Sequence, residues 1–101
     1  MDKEYQGWTN RETWAVKLHW DNNEGDYNFF IEEAKQFKRK GKSADEFAEF
    51  LKESAEEIQE MVMKGEGTQE GKLFIQDVGS LWRVNWVEIA EAYYEDIKEV
   101  K

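Results

Sequence analysis

Three segments of the chain carry the pattern of a capped helix N-terminus, in which a Thr, Ser or Asn precedes a Glu by three residues. They are Thr9-Asn10-Arg11-Glu12, Ser43-Ala44-Asp45-Glu46 and Asn85-Trp86-Val87-Glu88. Side-chain oxygens at the two ends of such a segment can accept the backbone amides that a helix start leaves unpaired. The pattern predicts helices that begin near residues 10, 44 and 86, and it makes an all-helical fold the first expectation.

Apolar residues recur between these starts at the three- and four-residue spacing of helices that bury one face. One such stripe, from about residue 44 to 64, contains Phe47, Phe50, Leu51, Ile58, Met61 and Val62. A second, from about 26 to 40 and bracketed by Gly25 and Gly41, contains Tyr27, Phe30, Ile31, Ala34 and Phe37. After a glycine-rich stretch at 65–71, which we expect to be flexible, the spacing resumes with Phe74, Val78, Leu81 and Trp82. A last helix is predicted from Trp86 through Val100.

Residues 13–20 are compatible with either a helix or a strand. Trp14, Val16, Leu18 and Trp20 alternate with less apolar residues, as in a half-buried strand. No other segment alternates over a comparable length, so a lone strand would leave its amides unpaired, and we predict a helix. With 101 residues, five of them tryptophan, we expect one all-α domain spanning 1–101, a compact bundle of four to five short helices around an aromatic core.

The chain is strongly acidic, with a net charge of −9. This charge repels nucleic acid and anionic membranes, so we expect neither direct nucleic-acid binding nor membrane binding. Cysteine is absent, and no apolar run approaches the roughly 20 residues that cross a bilayer. The first residues also lack the apolar core of a signal peptide. We therefore expect a soluble, cytoplasmic protein whose partners are basic proteins.

Sequence motifs for hydrolysis, phosphate binding and dinucleotide binding are missing, and His19 is the one histidine. Asp21, Asn23 and Glu32 match three positions of a calcium loop, but Asp26 stands where that loop requires glycine. A polar turn in which Asp26 caps the next helix fits this run better. We expect no enzymatic activity, cofactor or metal. A small enzyme or metal protein built around His19 and Asp21 is a third alternative, after the two non-enzymatic functions given at the end of this section.

Acidic side chains form stripes on the outer faces of two predicted helices. They are Glu46, Glu49, Glu53, Glu56, Glu57 and Glu60 on the helix from 44, and Glu88, Glu91, Glu95 and Glu99 on the last helix. Such stripes are typical of a solvated face, but rows of carboxylates also imitate the phosphates of a nucleic acid. On the second interpretation Glu49, Glu53, Glu56 and Glu60 are predicted to bind a partner. The basic cluster at 35–42 is explained by the negative end of a helix dipole.

Trp8 and Trp20 complete the predicted partner-binding set. Trp8 precedes the first helix, and Trp20 lies off the line through Trp14 and Leu18 that we expect to face the core. If the indoles of Trp8 and Trp20 share an exposed patch, that patch indicates an interface, because large aromatic side chains anchor many protein contacts.

The N-terminal part of the chain contains the motif Gly7-Trp8-Thr9-Asn10-Arg11-Glu12-Thr13-Trp14, followed by Leu18, Trp20, residues 21–25 and Tyr27. In these residues it resembles an uncharacterised family of small proteins carried by phages, archaeal viruses and plasmids. The distal segment Val84-Asn85-Trp86-Val87-Glu88-Ile89-Ala90-Glu91 carries the same resemblance. The family pattern has Asn where this chain has Gln6, and a basic residue where it has Val87. The resemblance implies company with mobile elements, whose short acidic proteins often bind host or competitor proteins, including defence nucleases.

Taken together, these features predict a non-enzymatic protein-binding accessory protein of a mobile element. One form of it is an acidic nucleic-acid mimic that inhibits a host nucleic-acid-binding or defence protein. The alternative is a homo-oligomeric structural or scaffolding protein that uses its aromatic residues for self-contact. Oligomer formation without a foreign partner would favour this alternative.

Overall fold

The structure is a computed structural model that describes residues 5–99, with side chains through residue 97. Within this range the chain forms five α-helices and one short 3-10 helix, which confirms the all-α prediction. The elements are α1 (Arg11–Asn22), α2 (Glu24–Arg39), α3 (Ala44–Met63), α4 (Gln69–Val78), the 3-10 helix (Leu81–Arg83) and α5 (Trp86–Glu99). Residues 13–20 are helical. The predicted helix end at Val100 and the side chain of Glu99 lie outside the described residues.

The predicted helix starts near residues 10 and 44 are confirmed, although their caps differ. At α3 the capping box is complete, because the Ser43 hydroxyl accepts the Glu46 amide and the Glu46 carboxylate accepts the Ser43 amide at 2.9 Å. At α1 the cap is Asn10 rather than Thr9, since Asn10 Oδ1 accepts the Thr13 amide at 2.9 Å. The start of α1 is therefore where the sequence predicts it, but the capping side chain is one residue further along.

The prediction that Asp26 caps the second helix is wrong. Asn23 Oδ1 accepts the Asp26 amide at 3.0 Å, so α2 begins at Glu24 and Gly25 lies inside its first turn. Asn23 alone separates α1 from α2, which leaves no extended loop of the kind that binds calcium.

A glycine with positive φ ends three of the helices, α2, α3 and α4, and at α3 it is Gly65 with a φ of +78°. Gly41 follows α2 with a φ of +75°, and beyond it the Lys42 amide donates to the Phe37 carbonyl at 2.9 Å, the pattern expected of a glycine-terminated helix. Gly79 has a φ of +87° and ends α4, whereas the sequence predicts that helical spacing continues through it to Trp82. The stretch expected to be flexible is short, because α4 already includes residues 69–71.

An aromatic cluster fills the space between the helices, as predicted. Helix α5 packs along α2 and α3, while α4 packs against α1 and α3. Trp20 stacks on Phe30 with ring centroids 4.2 Å apart and on Phe74 at 5.6 Å. Tyr93 of α5 lies 6.0 Å from Phe30 and 6.1 Å from Phe47. These rings connect all five α-helices, because each helix from α1 to α5 contributes one of them.

The buried line of α1 differs from the predicted one. It runs through Thr13, Val16 and Trp20, whereas Trp14 is only half-buried and Leu18 is exposed. Both lines follow helical spacing, so periodicity alone could not choose between them. The packing of α4 and α5 against α1 determines which line faces the core.

Candidate protein-binding surface

The outer face of α3 carries the predicted partner-binding residues Glu49, Glu53, Glu56 and Glu60, and all of them are exposed. Their spacing of three and four residues places them along one side of the helix. Because an α-helix rises about 1.5 Å per residue, the row extends about 16 Å along the axis. Glu60 has a local partner, since its carboxylate lies 3.6 Å from the Lys64 ammonium.

The acidic stripe predicted on α5 is not a continuous outer face. Glu91 and Glu95 are exposed, but Glu88 is buried, and its carboxylate accepts the Thr9 amide at 3.1 Å. Burial of Glu88 is stabilised by this charge-assisted hydrogen bond. The side chain of Glu99 lies outside the described residues. The carboxylates of α3 therefore form the better-defined acidic surface.

A groove of about 900 Å³ runs between α3 and residues 79–87, and we call it the acidic groove. Helix α3 contributes the carboxylates of Asp45, Glu49 and Glu56 to its lining, together with the ammonium of Lys52. Trp82 also lines the groove, and 81% of this residue is exposed. Negative side chains and a large exposed indole are thus combined at one concave surface.

The exposure of Trp82 follows from the way α4 ends. Gly79 turns the chain out of α4, and the 3-10 helix that follows buries Leu81 while Val84 is buried just after it. Trp82 lies between these two inward-facing residues and points outward, with the Arg83 guanidinium 5.9 Å from its ring centroid. The helical spacing of Phe74, Val78, Leu81 and Trp82 did not indicate that Trp82 lies at the surface. The signal that could have found it is Gly79, a residue type that commonly ends helices.

Trp8 and Trp20 do not share an exposed patch. Trp20 is 2% exposed and stacks between core rings, so the prediction that it contacts a partner does not match its position. Trp8 is half-buried against the core, and its amide donates to the Tyr5 carbonyl at 2.7 Å in a small backbone bridge. Of the predicted aromatic pair, only Trp8 retains surface area that a partner could reach.

Motif residues from the two ends of the chain bond to each other, and we call this set of contacts the clasp. The Thr9 amide donates to Glu88, and Asn85 Nδ2 donates to the Thr9 hydroxyl at 3.3 Å. The Asn85 amide donates to Thr13 Oγ1 at 2.8 Å, while Asn85 Oδ1 accepts the Glu88 amide at 3.1 Å and begins α5 as predicted. These side chains therefore have a structural role that joins α1 to α5.

The clasp extends to the 3-10 helix. Asn10 Nδ2 donates to the Arg83 carbonyl at 2.8 Å, and the Arg83 guanidinium lies 3.3 Å from the Glu12 carboxylate. Glu12, expected to complete a capping box with Thr9, instead makes an ion pair with a residue far along the chain. Four hydrogen bonds and one ion pair thus join the segment 81–88 to the N-terminal motif.

His19 lies at the edge of the core rather than in a reactive cluster. Its Nε2 is 2.8 Å from Asp77 Oδ2, and its ring packs edge-on against Phe74 at 5.8 Å. The hydrogen bond to His19, together with the charges of His19 and Arg11, lowers the pKa of Asp77 from its ordinary value. This pair ties α1 to α4. Among the side chains of residues 5–97, no three from His, Asp or Glu are grouped as a metal site requires.

The basic cluster at residues 35–42 surrounds the C-terminus of α2. This is the position expected if its cations interact with the negative end of the helix dipole. Lys38 and Arg39 occupy the last turn of the helix. The Lys38 ammonium also lies 5.1 Å from the ring centroid of Tyr94, whose hydroxyl donates to the Lys42 carbonyl at 3.1 Å. These contacts connect the end of α2 to α5.

The fold and its surface define a small acidic all-α protein with an aromatic core and a concave acidic face. The chain belongs to DUF7249, a family of unknown function whose family model matches residues 1–101. No curated protein and no solved structure matches the chain. In the part of the chain that the structure describes, no helix has both the length and the apolar character needed to cross a bilayer.

Proposed function

We propose that this protein is a non-enzymatic protein-binding accessory protein of a mobile element, which holds a basic surface of its partner against the acidic groove. The observation that carries the proposal is the exposure of Trp82 beside the carboxylates of Glu49 and Glu56. Tryptophan is among the side chains most enriched at the energetic centres of protein interfaces. An indole face also attracts Lys and Arg cations, so the groove suits a basic surface in two ways.

The partner class in this proposal is a basic nucleic-acid-binding or defence protein of the host, and the mode is mimicry of nucleic acid. One DNA strand carries a phosphate about every 3.4 Å along the axis, whereas the α3 row holds Glu49, Glu53, Glu56 and Glu60 over about 16 Å. The row is therefore less densely charged than a phosphate backbone. The net charge of −9 and Trp82 supply the additional attraction, the first by steering and the second by contact.

The link to mobile elements is supported by the resemblance of the segments 7–14 and 84–91 to small proteins of phages, archaeal viruses and plasmids. Action in the host cytoplasm belongs to the same proposal, because nucleic-acid-binding and defence proteins of a host act there. Direct binding of nucleic acid is not part of it, since the charge of the chain opposes such binding.

Affinity capture from a host-type lysate tests the proposal, with mass spectrometry of the retained proteins. We expect retention of a basic nucleic-acid-binding protein that survives nuclease treatment, is lost at about 0.5 M salt, and is displaced by duplex DNA. Retention that disappears after nuclease treatment would contradict the proposal, because nucleic acid would then be bridging the two proteins.

Matched variants then locate the contact on the purified partner. Glu49→Lys/Glu56→Lys is expected to weaken binding about tenfold or more, and Trp82→Ala to weaken it comparably. Glu32→Lys/Glu66→Lys changes the net charge by the same amount at exposed positions outside the acidic groove, and it is expected to stay within about twofold of the unchanged protein. An equal loss of affinity in both double variants would show that the interaction is a non-specific attraction to negative charge, and would contradict the proposal.

The second candidate is a homo-oligomeric structural or scaffolding protein, which the exposure of the large apolar side chains of Phe29, Met63 and Trp82 favours. A defined oligomer in light scattering, lost on Trp82→Ala and formed without a foreign partner, would support this function over the first.

A further inference from the structure

A second groove, of about 410 Å³, lies between α1, α3 and α4, and we call it the apolar groove. Each of these helices contributes one exposed large apolar side chain to its lining, namely Leu18, Met61 and Leu73. The buried rings of Trp20 and Phe74 also line it. Single exposed apolar residues are common on proteins, but a cluster contributed by three helices around one concavity indicates a binding surface.

The wall formed by the connection between α3 and α4 is closely packed. A Cβ atom built on Gly67 would lie 2.7 Å from Val62 Cγ2, and one built on Gly71 would lie 3.3 Å from Ile58 Cγ2. The Thr68 hydroxyl accepts the Gly71 amide at 3.0 Å and holds the start of α4 in place. The groove is therefore formed before any partner arrives, which lowers the entropy cost of binding.

Two carboxylates give the apolar groove a negative rim. Asp26 and Glu70 both line it, and neither forms an ion pair with a cation of residues 5–97, where side chains are described. Partial burial raises the pKa of Asp26 from its ordinary value, and the negative charge of Glu70 raises it further. A cation placed between the two carboxylates would relieve their repulsion.

We propose that the apolar groove binds a basic amphipathic helix of a partner protein, with its apolar side chains against Leu18, Met61 and Leu73 and a Lys or Arg against Asp26 and Glu70. An amphipathic helix is the peptide form whose apolar face fits an open hydrophobic groove, and flexible methionine suits such contacts. Charge complementarity selects the basic form. This groove shares no lining residue with the acidic groove, so the inference does not rest on the proposed function.

The probe is a synthetic helical peptide of about 16 residues, with Leu at three- and four-residue spacing and Lys on both flanks of the apolar face. With the protein labelled at its methionine methyl groups, the Met61 resonance is expected to shift saturably while that of Met63 stays in place. A peptide with Glu in place of Lys is expected to bind about tenfold more weakly or worse. Binding of the two peptides with equal affinity would overturn the proposal.

The chain offers a matched pair of exposed methionines on α3 for the apolar contact. Met61→Ser is expected to weaken binding of the Lys peptide about tenfold, the usual consequence of losing one buried apolar side chain at an interface. Met63→Ser removes a methionine outside the groove lining and is expected to leave the affinity unchanged. An equal loss in both variants would show that the peptide binds apolar surface without using the groove, and would overturn the proposal.

The charged rim is tested by Asp26→Asn/Glu70→Gln, which is expected to weaken binding several-fold and to reduce its salt dependence. Both carboxylates lie in the first turn of a helix, where they also favour the helix dipole, so circular dichroism of each variant confirms that the fold is retained. Glu49→Lys/Glu56→Lys is expected to bind the peptide nearly as before. A loss of peptide binding confined to Glu49→Lys/Glu56→Lys would overturn this proposal and leave the proposed function standing. Self-association through Leu73 without peptide binding would also overturn this proposal and leave the proposed function standing.

Discussion

At the residue scale, Trp20 and Trp82 have opposite surroundings and therefore opposite energetic roles. Trp20 is 2% exposed and stacks on both Phe30 and Phe74, so its indole connects α1, α2 and α4. Trp82 is largely exposed and contributes area to a concave surface instead. Burial of an aromatic side chain is among the largest single contributions to the stability of a domain, whereas exposed side chains contribute little.

Truncation of the two tryptophans is therefore expected to give very different results. Trp20→Ala removes a buried indole and is expected to lower the free energy of unfolding by about 3–5 kcal/mol, a large part of the total for a small domain. Trp82→Ala is expected to change it by less than about 0.5 kcal/mol. Urea unfolding followed by circular dichroism measures both. A small effect of Trp20→Ala would contradict the central position of this residue in the core.

The burial of Tyr93 leads us to expect a loss of stability at alkaline pH. This residue is fully buried, and among residues 5–99 its hydroxyl has no hydrogen-bond partner. Burial, reinforced by the charge of carboxylates such as Asp21, raises the pKa of Tyr93 far above its ordinary value of 10.0. Above about pH 10 the unfolded chain releases this proton while the native protein keeps it, so stability is complete below that pH and falls as pH rises.

Tyr93→Phe tests both consequences. At neutral pH the change is expected to be neutral or stabilising, because it removes a buried hydroxyl that lacks a partner. The decline of the unfolding free energy between about pH 9 and 11 is expected to become shallower, though not flat, because Tyr27 and Tyr94 also have raised pKa values. Urea unfolding at a series of pH values measures the slope, and an unchanged slope would contradict the assignment to Tyr93.

At the element scale, α4 depends on its ends and its neighbours. It has 10 residues, which is too short for a helix that is stable alone in water. Thr68 caps its start, and Gly79 ends it with a φ of +87° and a ψ of −96°. Residues other than glycine rarely adopt this backbone conformation. The position of Gly79 also decides where the 3-10 helix begins and thus where Trp82 emerges.

Two glycine substitutions are expected to change stability in opposite directions. Gly79→Ala forces a side chain into a strained conformation and is expected to cost about 1–3 kcal/mol. Gly25→Ala places alanine in the first turn of α2, where a Cβ atom would have ordinary contact with Asn23 Oδ1 at 3.4 Å, and it is expected to stabilise by up to about 1 kcal/mol. Thermal and urea unfolding measure both. A neutral Gly79→Ala would show that the end of α4 does not depend on this glycine.

At the scale of the whole molecule, the clasp joins the two ends of the described chain. The hydrogen bonds between its two segments connect residues that are 72 to 79 positions apart, such as Thr9 with Glu88 and Thr13 with Asn85. Thr13 is fully buried, and its hydroxyl donates to Asn10 Oδ1 at 2.7 Å while accepting the Asn85 amide. One hydroxyl thus connects the start of α1 to the start of α5.

Removal of that hydroxyl is expected to weaken the connection between the chain ends. Thr13→Val keeps the shape of the side chain but leaves the Asn85 amide without this acceptor, and is expected to cost about 1–3 kcal/mol. Thr13→Ser retains the hydroxyl and loses one methyl group, so about 1 kcal/mol is expected. Amide hydrogen exchange is expected to accelerate at Asn85 in Thr13→Val and much less in Thr13→Ser. Equal exchange in the two variants would contradict the role of the hydroxyl.

The starts of α1, α3 and α5 and the ends of α2 and α3 could be predicted from the sequence, because those boundaries depend on contacts within a few residues. Ser43 bonds to Glu46 and Asn85 to the Glu88 amide, both three residues away, and Gly41 ends α2 through its own backbone freedom. The row of carboxylates on α3 follows from the same helical spacing. The all-α class and the row of carboxylates on the candidate surface were therefore predictable, whereas the exposure of Trp82 was not.

Long-range packing sets which face of each helix is covered. Helical spacing allowed α1 to bury the line of Trp14 or the line of Trp20, and the helices packed against α1 determine the second. The same long-range packing buries Glu88, brings Asn85 beside Thr13, and leaves Trp82 at the acidic groove. Both grooves arise between elements that are distant in the chain, and local sequence patterns carry no record of such contacts.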